Sequence, residues 1–385
     1  MYSFEDLFDM RSVVGAKLES LMKETGYSKT RLCKEAGVSR PTLDKLLAGT
    51  ITSAATFERH IQKILDCLHS TPDMLIGKEQ IVPNRVRALR QIMRTHSDEL
   101  ALATGLSAER LLEIETGDDA TPSELRDIAF HLSTGTSSIL NENIFELQFS
   151  TLNYFMVSDK ETLGAGCGFW GHLGIQLAGD EMYYWFPITE NTCRQIRHQV
   201  QTMHKIVIPC MNNKLLFVNL DNTKQILLLD EACDQPSFTN WDPNVDCGEI
   251  PLVIYESLGE FFDWAEEEKT PDPEIMSQSF FDTMKKIVED KAWNEDSVYQ
   301  MEQIILHHTD GKKTATSFDY HQESSLLCEI ERLYAFDDDS YTNDWLDYED
   351  WDNVEILINM NKTAMIELPL TKAEAAIQHM IEMDE

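Results

Sequence analysis

Apolar residues recur at helical spacing over roughly the first 140 positions and then give way, from about Phe145, to short aromatic and β-branched runs. In Ser12–Thr25 the stripe is Val14, Leu18 and Leu21, and Gly26 follows as a helix stop. Ser28 caps a predicted second helix, Lys29–Ala36, and Gly37 supplies the positive φ of a tight turn. Ser39 caps a third helix that runs to about Ala48 and ends at Gly49. Leu32, Ala36, Val38, Leu43 and Leu46 fall where two crossing helices must touch, and Cys33 takes a slot near the crossing that tolerates only a small side chain. The pattern returns 68 residues later in Ser97–Gly117, with Leu100, Ala101, Leu106, Leu111 and Ile114 in the same slots and Gly105 matching Gly37. Segments 85–96 and 121–133 read as its flanking helices.

The second half alternates differently. Runs 146–158, 168–179 and 181–188 read as strands, and 189–204 as a helix capped by Thr189 or Asn191. Three further strands, 205–211, 214–220 and 224–230, are separated by Asn212-Asn213 and Asp221-Asn222-Thr223, expected to be hairpin turns. Run 250–257 reads as another strand. Helices are expected at about Ser257–Glu268, Pro273–Lys291 and Glu295–His308. The end, 354–370, reads as strand, turn, strand with a capped final helix, and echoes the earlier strand pair as a duplicated small α+β unit.

The segment KTRLCKEAGVSRPTLDKLLAG, followed by SAATFERHIQKILDCL and TPDMLIG as fourth and fifth helices, resembles the Cro/repressor-like (XRE-type) helix-turn-helix family over residues 11–77. The resemblance implies that the helix beginning at Ser39 lies in the major groove of double-stranded DNA with its first residues nearest the base edges. Arg40 and Thr42 are then the candidate base contacts, and Lys45, one turn on, reaches a base or a phosphate. Ser28, Lys29 and Thr30, at a helix N-terminus, are candidate phosphate contacts. Pro41 is tolerated in a first helical turn, and Asp44 either reads a cytosine amino group or faces water. The expected architecture is multidomain. Two tandem five-helix lambda-repressor-like domains (1–80 and a divergent 81–144) make an all-α N-terminal half. An acidic α+β half follows, divided as 145–255 and 256–385 or forming one domain.

Charge sharpens this division. The chain carries a net charge of −35, which does not look like a nucleic-acid binder. Residues 1–80 balance 11 basic against 11 acidic side chains, however, while 151–385 hold 15 against 45. Lys29–Gly49 has five basic and two acidic residues. Ser97–Gly117 has Arg110 alone against Asp98, Glu99, Glu109, Glu113 and Glu115, so its last helix would meet phosphates with like charge. The second set is therefore expected to brace, dimerise or bind protein. Arg85, Arg87, Arg90 and Arg94, at nearly helical spacing, are its alternative grip on DNA.

Little else carries chemistry. The eight cysteines form no CxxC pair and read as small buried hydrophobes. Gly164, Gly166, Gly168, Gly171 and Gly174 lie in a strand-like context and read as strand packing or bulges, not a phosphate loop. His307-His308 and His198/His204 read as structural histidines, and Asp337–Asp352 as a solvated acidic loop anchored by Trp345, Tyr348 and Trp351. No nucleophile–base set is legible, so no enzyme and no cofactor are expected. With no signal peptide or membrane span legible, a cytoplasmic location is expected. The reading is a transcriptional regulator, a repressor by type, binding an operator as a homodimer, with an acidic half for oligomerisation, sensing or a protein partner. The alternative is an acidic interaction or DNA-mimicking protein whose helix-turn-helix serves autoregulation or docking.

Overall fold

A computed structural model describes residues 4–24, 27–68, 70–72, 75, 84–140, 168–230, 236–242, 247–266, 269–316, 345–349 and 355–374. The chain divides into two units, Met1–Ala120 and Thr121–Glu385.

The first unit is helical. It contains α1 (Phe4–Asp9), α2 (Arg11–Glu24), α3 (Lys29–Ala36), α4 (Arg40–Leu47), α5 (Ala54–Cys67), α6 (Val86–Ile92), α7 (Ser97–Thr104) and α8 (Ala108–Glu115). Leu18, Leu32, Val38, Leu43, Leu46, Phe57, Ile61 and Ile64 share one core, as the stripes require. Helix α2 crosses the C-terminal end of α4 so closely that a Cβ on Gly15 would lie 2.4 Å from the Leu47 carbonyl oxygen. The expected fifth helix, 71–77, falls largely outside the described residues.

The second unit begins with α9 (Pro122–His131) and α10 (Thr136–Leu140). Strands β1 (Phe169–Leu177) and β2 (Tyr184–Thr189) follow, then α11 (Glu190–Gln199), β3 (Lys205–Cys210), β4 (Lys214–Asn219) and β5 (Thr223–Asp230). After these come α12 (Leu252–Glu266), α13 (Gln278–Lys291) and α14 (Glu295–Met301). The remaining strands are β6 (Ile304–His308), β7 (Lys313–Thr316), β8 (Trp345–Glu349), β9 (Glu355–Asn359) and β10 (Thr363–Pro369). Helix α9, expected to close the second five-helix set, is held here. Arg126 pairs with Glu260 at 2.7 Å and donates to the Ile275 carbonyl at 2.8 Å, and Ser277 donates to Asp127 at 2.8 Å. The strands form antiparallel sheets ordered β2-β1-β5, β3-β4-β10-β6-β7 and β8-β9.

Several expectations change. Run 250–257 enters helix α12 instead of a strand, burying Leu252, Val253, Ile254, Ser257, Leu258 and Phe261. A short apolar run does not distinguish a buried helix from a buried strand. Residues 304–308, expected to extend a helix, are strand β6, and 345–349 of the expected acidic loop are strand β8. The turn after β4 is not a hairpin. Asn219 accepts from the Asp221 amide, Thr223 donates back to the Asn219 carbonyl at 3.0 Å, and the chain passes through one 3-10 turn into the other sheet. Asn359 and Thr363 repeat the device between β9 and β10, with Thr363 donating to the Asn359 carbonyl at 3.2 Å. Thr189 is the cap of α11, accepting from the Thr192 amide at 3.1 Å. Among the glycines, Gly171 sits at a register shift of β1, and Gly174 lies against the Trp185 ring. His307 is buried against Glu367 at 2.6 Å, and His204 faces Asp221 at 3.1 Å.

Candidate nucleic-acid interface

Helices α3 and α4 take their form from three local devices. The Ser28 hydroxyl accepts from the Arg31 amide at 3.2 Å, which starts α3. Gly37 ends it at φ 63°, a conformation most side chains resist. The Ser39 hydroxyl accepts from the Thr42 amide at 3.3 Å and starts α4, with Pro41 in the first turn where no intrahelical bond is lost. Leu43 and Leu46 point into the core, which leaves Arg40, Pro41, Asp44 and Lys45 exposed on the opposite face.

Of the sequence-predicted residues, Lys29 and Arg40 are brought together through Asp44, and Ser39 and Thr42 through their hydroxyls. Ser28, Thr30, Ser39, Arg40 and Lys45 are exposed, and Lys29 and Thr42 are half-buried. The Thr42 hydroxyl lies 2.7 Å from that of Ser39, so its polar group is engaged locally. Charge is more organised than the local count implies. Asp44 accepts from Lys29 Nζ at 3.0 Å and from Arg40 Nε at 3.3 Å. The Lys29 hydrogen bond, and then the charges of Lys29 and Arg40, hold its carboxyl below the usual range. Glu35 accepts from Arg31 Nε at 2.8 Å and from the Tyr27 hydroxyl at 3.0 Å, while the Arg31 guanidinium stacks 4.3 Å from the Tyr27 ring centre. Those bonds, Arg31's first, lower the Glu35 carboxyl. Lys34 and Lys45 make no ion pair among the described residues. These clamps were not read from the sequence, although Arg31/Glu35 and Arg40/Asp44 stand at the i,i+4 spacing that signals such pairs.

The Ser97–Gly117 segment folds with the same local geometry. Gly105 ends α7 at φ 72°, and the Ser107 hydroxyl caps α8 from the Arg110 amide at 3.0 Å. Its outer face has a different fate. Ala108 and Leu112, which match Arg40 and Asp44 in register, pack into the core around α1–α5, and Leu112 is buried. Glu115 is not an outward repellent charge as expected, since it is buried and accepts from Arg90 Nε at 2.6 Å. Arg90 also pairs with Asp9, which in turn bonds the His96 ring at 2.7 Å. Arg90 is fully buried, so the four-arginine grip on a DNA backbone loses a member to an internal ion pair.

Residues 17–77 match the family model of the Cro/C1-type HTH DNA-binding domain. No curated protein and no solved structure matches the chain. No helix among the described residues is long and apolar enough to cross a membrane.

Proposed function

We propose that this chain is a sequence-specific transcriptional regulator, a repressor by type, that reads an operator through α4. The observation that carries the reading is the exposed Arg40, Thr42, Lys45 face on a capped helix-turn-helix within the stretch that matches a DNA-binding family. In this reading α4 enters the major groove, Arg40 pairs with a base edge, and Ser28, Lys29 and Thr30 hold phosphate. A homodimer places two such helices on a two-fold site. The helices α6–α8 are a divergent helix-turn-helix that buttresses the first, which the burial of Ala108 and Leu112 in the shared core supports. The acidic second half serves oligomerisation, sensing or partner binding and carries no enzymatic activity, and the protein works in the cytoplasm. Its charge opposes DNA and so keeps non-specific affinity low.

The test is a salt titration of the full chain against DNA from upstream of its own coding region, read by fluorescence anisotropy. Sequence-specific binding that weakens steeply with salt is expected, and Arg40→Ala with Lys45→Ala should abolish the specific component. A double variant that binds like the wild type refutes α4 as the reading helix. Absence of any DNA binding favours the acidic interaction reading instead.

A further inference from the structure

We infer that Asp44 is a specificity-determining residue of this surface, withholding Lys29 and Arg40 from any duplex that offers phosphate alone. The inference rests on the DNA-reading role of α4. One carboxylate spans the first turns of both helices of the motif, since Lys29 opens α3 and Arg40 opens α4. Its two oxygens are divided between them, Oδ1 to Lys29 at 3.0 Å and Oδ2 to Arg40 at 3.3 Å. The three side chains are 36, 52 and 47% exposed for Lys29, Arg40 and Asp44. Such bridges are screened and exchangeable, so they contribute little to folding and are free to act in binding.

Chemically, Asp44 stands in for a phosphate, as an anionic oxygen acceptor tethered beside both cations. A random duplex offers Lys29 and Arg40 only what they already have, and it brings its own negative charge against the displaced carboxylate. A duplex with a guanine before Arg40 offers bidentate acceptors in place of a single bond, and a cytosine amino group nearby turns Asp44 from competitor into acceptor. The favoured site therefore carries G·C pairs beneath the first turn of α4.

The experiment uses the full chain with Asp44, Asp44→Asn and Asp44→Glu. The probes are a random-sequence duplex mixture and duplexes enriched by the wild type from a randomised library, each titrated with salt. Circular dichroism confirms that the variants fold. Asp44→Asn should bind the random mixture roughly three- to tenfold tighter at low salt, with a logarithmic salt slope steeper by about one to two, because each freed cation adds about one phosphate contact. The ratio of enriched to random affinity should fall, and Asp44→Glu should restore part of it. If the wild type enriches a sequence but Asp44→Asn leaves that ratio unchanged, the inference is overturned while the DNA-reading role stands. If the wild type enriches nothing, both are overturned.

Discussion

Gly15 and Gly259 both sit inside helices, and the structure assigns them opposite responses to alanine. A Cβ at Gly15 would lie 2.4 Å from the Leu47 carbonyl oxygen, 2.8 Å from its carbon and 2.9 Å from the Leu46 oxygen. These are backbone atoms at the end of α4 and have no rotamer by which to move aside. A Cβ at Gly259, in α12, would meet nothing within 4 Å. Alanine is intrinsically better than glycine in a helix interior by about 1 kcal/mol, so Gly259→Ala should stabilise by about 0.5–1 kcal/mol. At Gly15 the same gain is set against overpacking of backbone on backbone, which costs about 1–3 kcal/mol, and so short an approach belongs at the upper end. The net effect is a loss of about 1–2 kcal/mol. For a unit of this size that lowers the transition by roughly 3–8 °C. Differential scanning calorimetry of the full chain measures both variants. Because the clash falls on α4, Gly15→Ala should also weaken binding to enriched DNA, and Gly259→Ala should not. A Gly15→Ala protein as stable as the wild type would refute the close crossing of α2 and α4.

The buried Arg90–Glu115 pair occupies positions matched in the first set by Met22 and Leu47. Arg90→Met alone should cost about 3–5 kcal/mol by stranding the buried Glu115 carboxylate and taking a partner from Asp9, and adding Glu115→Leu should recover the Glu115 part in urea unfolding, Asp9 keeping His96; a double variant no better than the single one argues against the Arg90–Glu115 pair as the cause. In the second unit, Glu374 is fully buried, neither of its carboxyl oxygens has a hydrogen-bond partner among the described residues, and burial first, then the charge of Glu256, pushes its carboxyl well above the ordinary range. A carboxyl raised in the folded state contributes stability fully present below its unfolded value and lost as pH rises through its folded value. Thermal stability of this unit should therefore fall as pH climbs above about 4.3, and Glu374→Gln should flatten that dependence; parallel curves for the two proteins would count against it.

The helix-turn-helix was legible because its signals are local. Ser28, Gly37 and Ser39 act on amides within a turn of themselves, and Leu43 and Leu46 reveal their face by spacing alone. The interior role of α8 was not extracted, although Leu112 stands where the first set has the exposed Asp44, and an apolar residue in a solvent slot signals a covering partner. Arg90 and Glu115 read as surface charges because their pairing depends on two helices brought together in three dimensions. In the second unit, strand positions were mostly visible and their partners were not. Asp221-Asn222-Thr223 reads as a hairpin turn and 354–370 as strand, turn, strand, yet the 3-10 turns that follow Asn219 and Asn359 each send the next strand to another sheet, a choice made by long-range pairing.

That pairing sets a timetable for synthesis. Strand β10 lies between β4 and β6, although it comes after both in the chain, and the Thr371 amide closes onto Asn213 across 158 residues. A ribosome adding about 5–20 residues per second needs roughly 12–50 s to travel from the end of the first unit to Pro369. Throughout that interval the nascent chain carries a helix-turn-helix assembled from nearby segments, while the five-stranded sheet still lacks its middle strand. The second unit thus matures later than the first, because its five-stranded sheet closes only once β10 has been made.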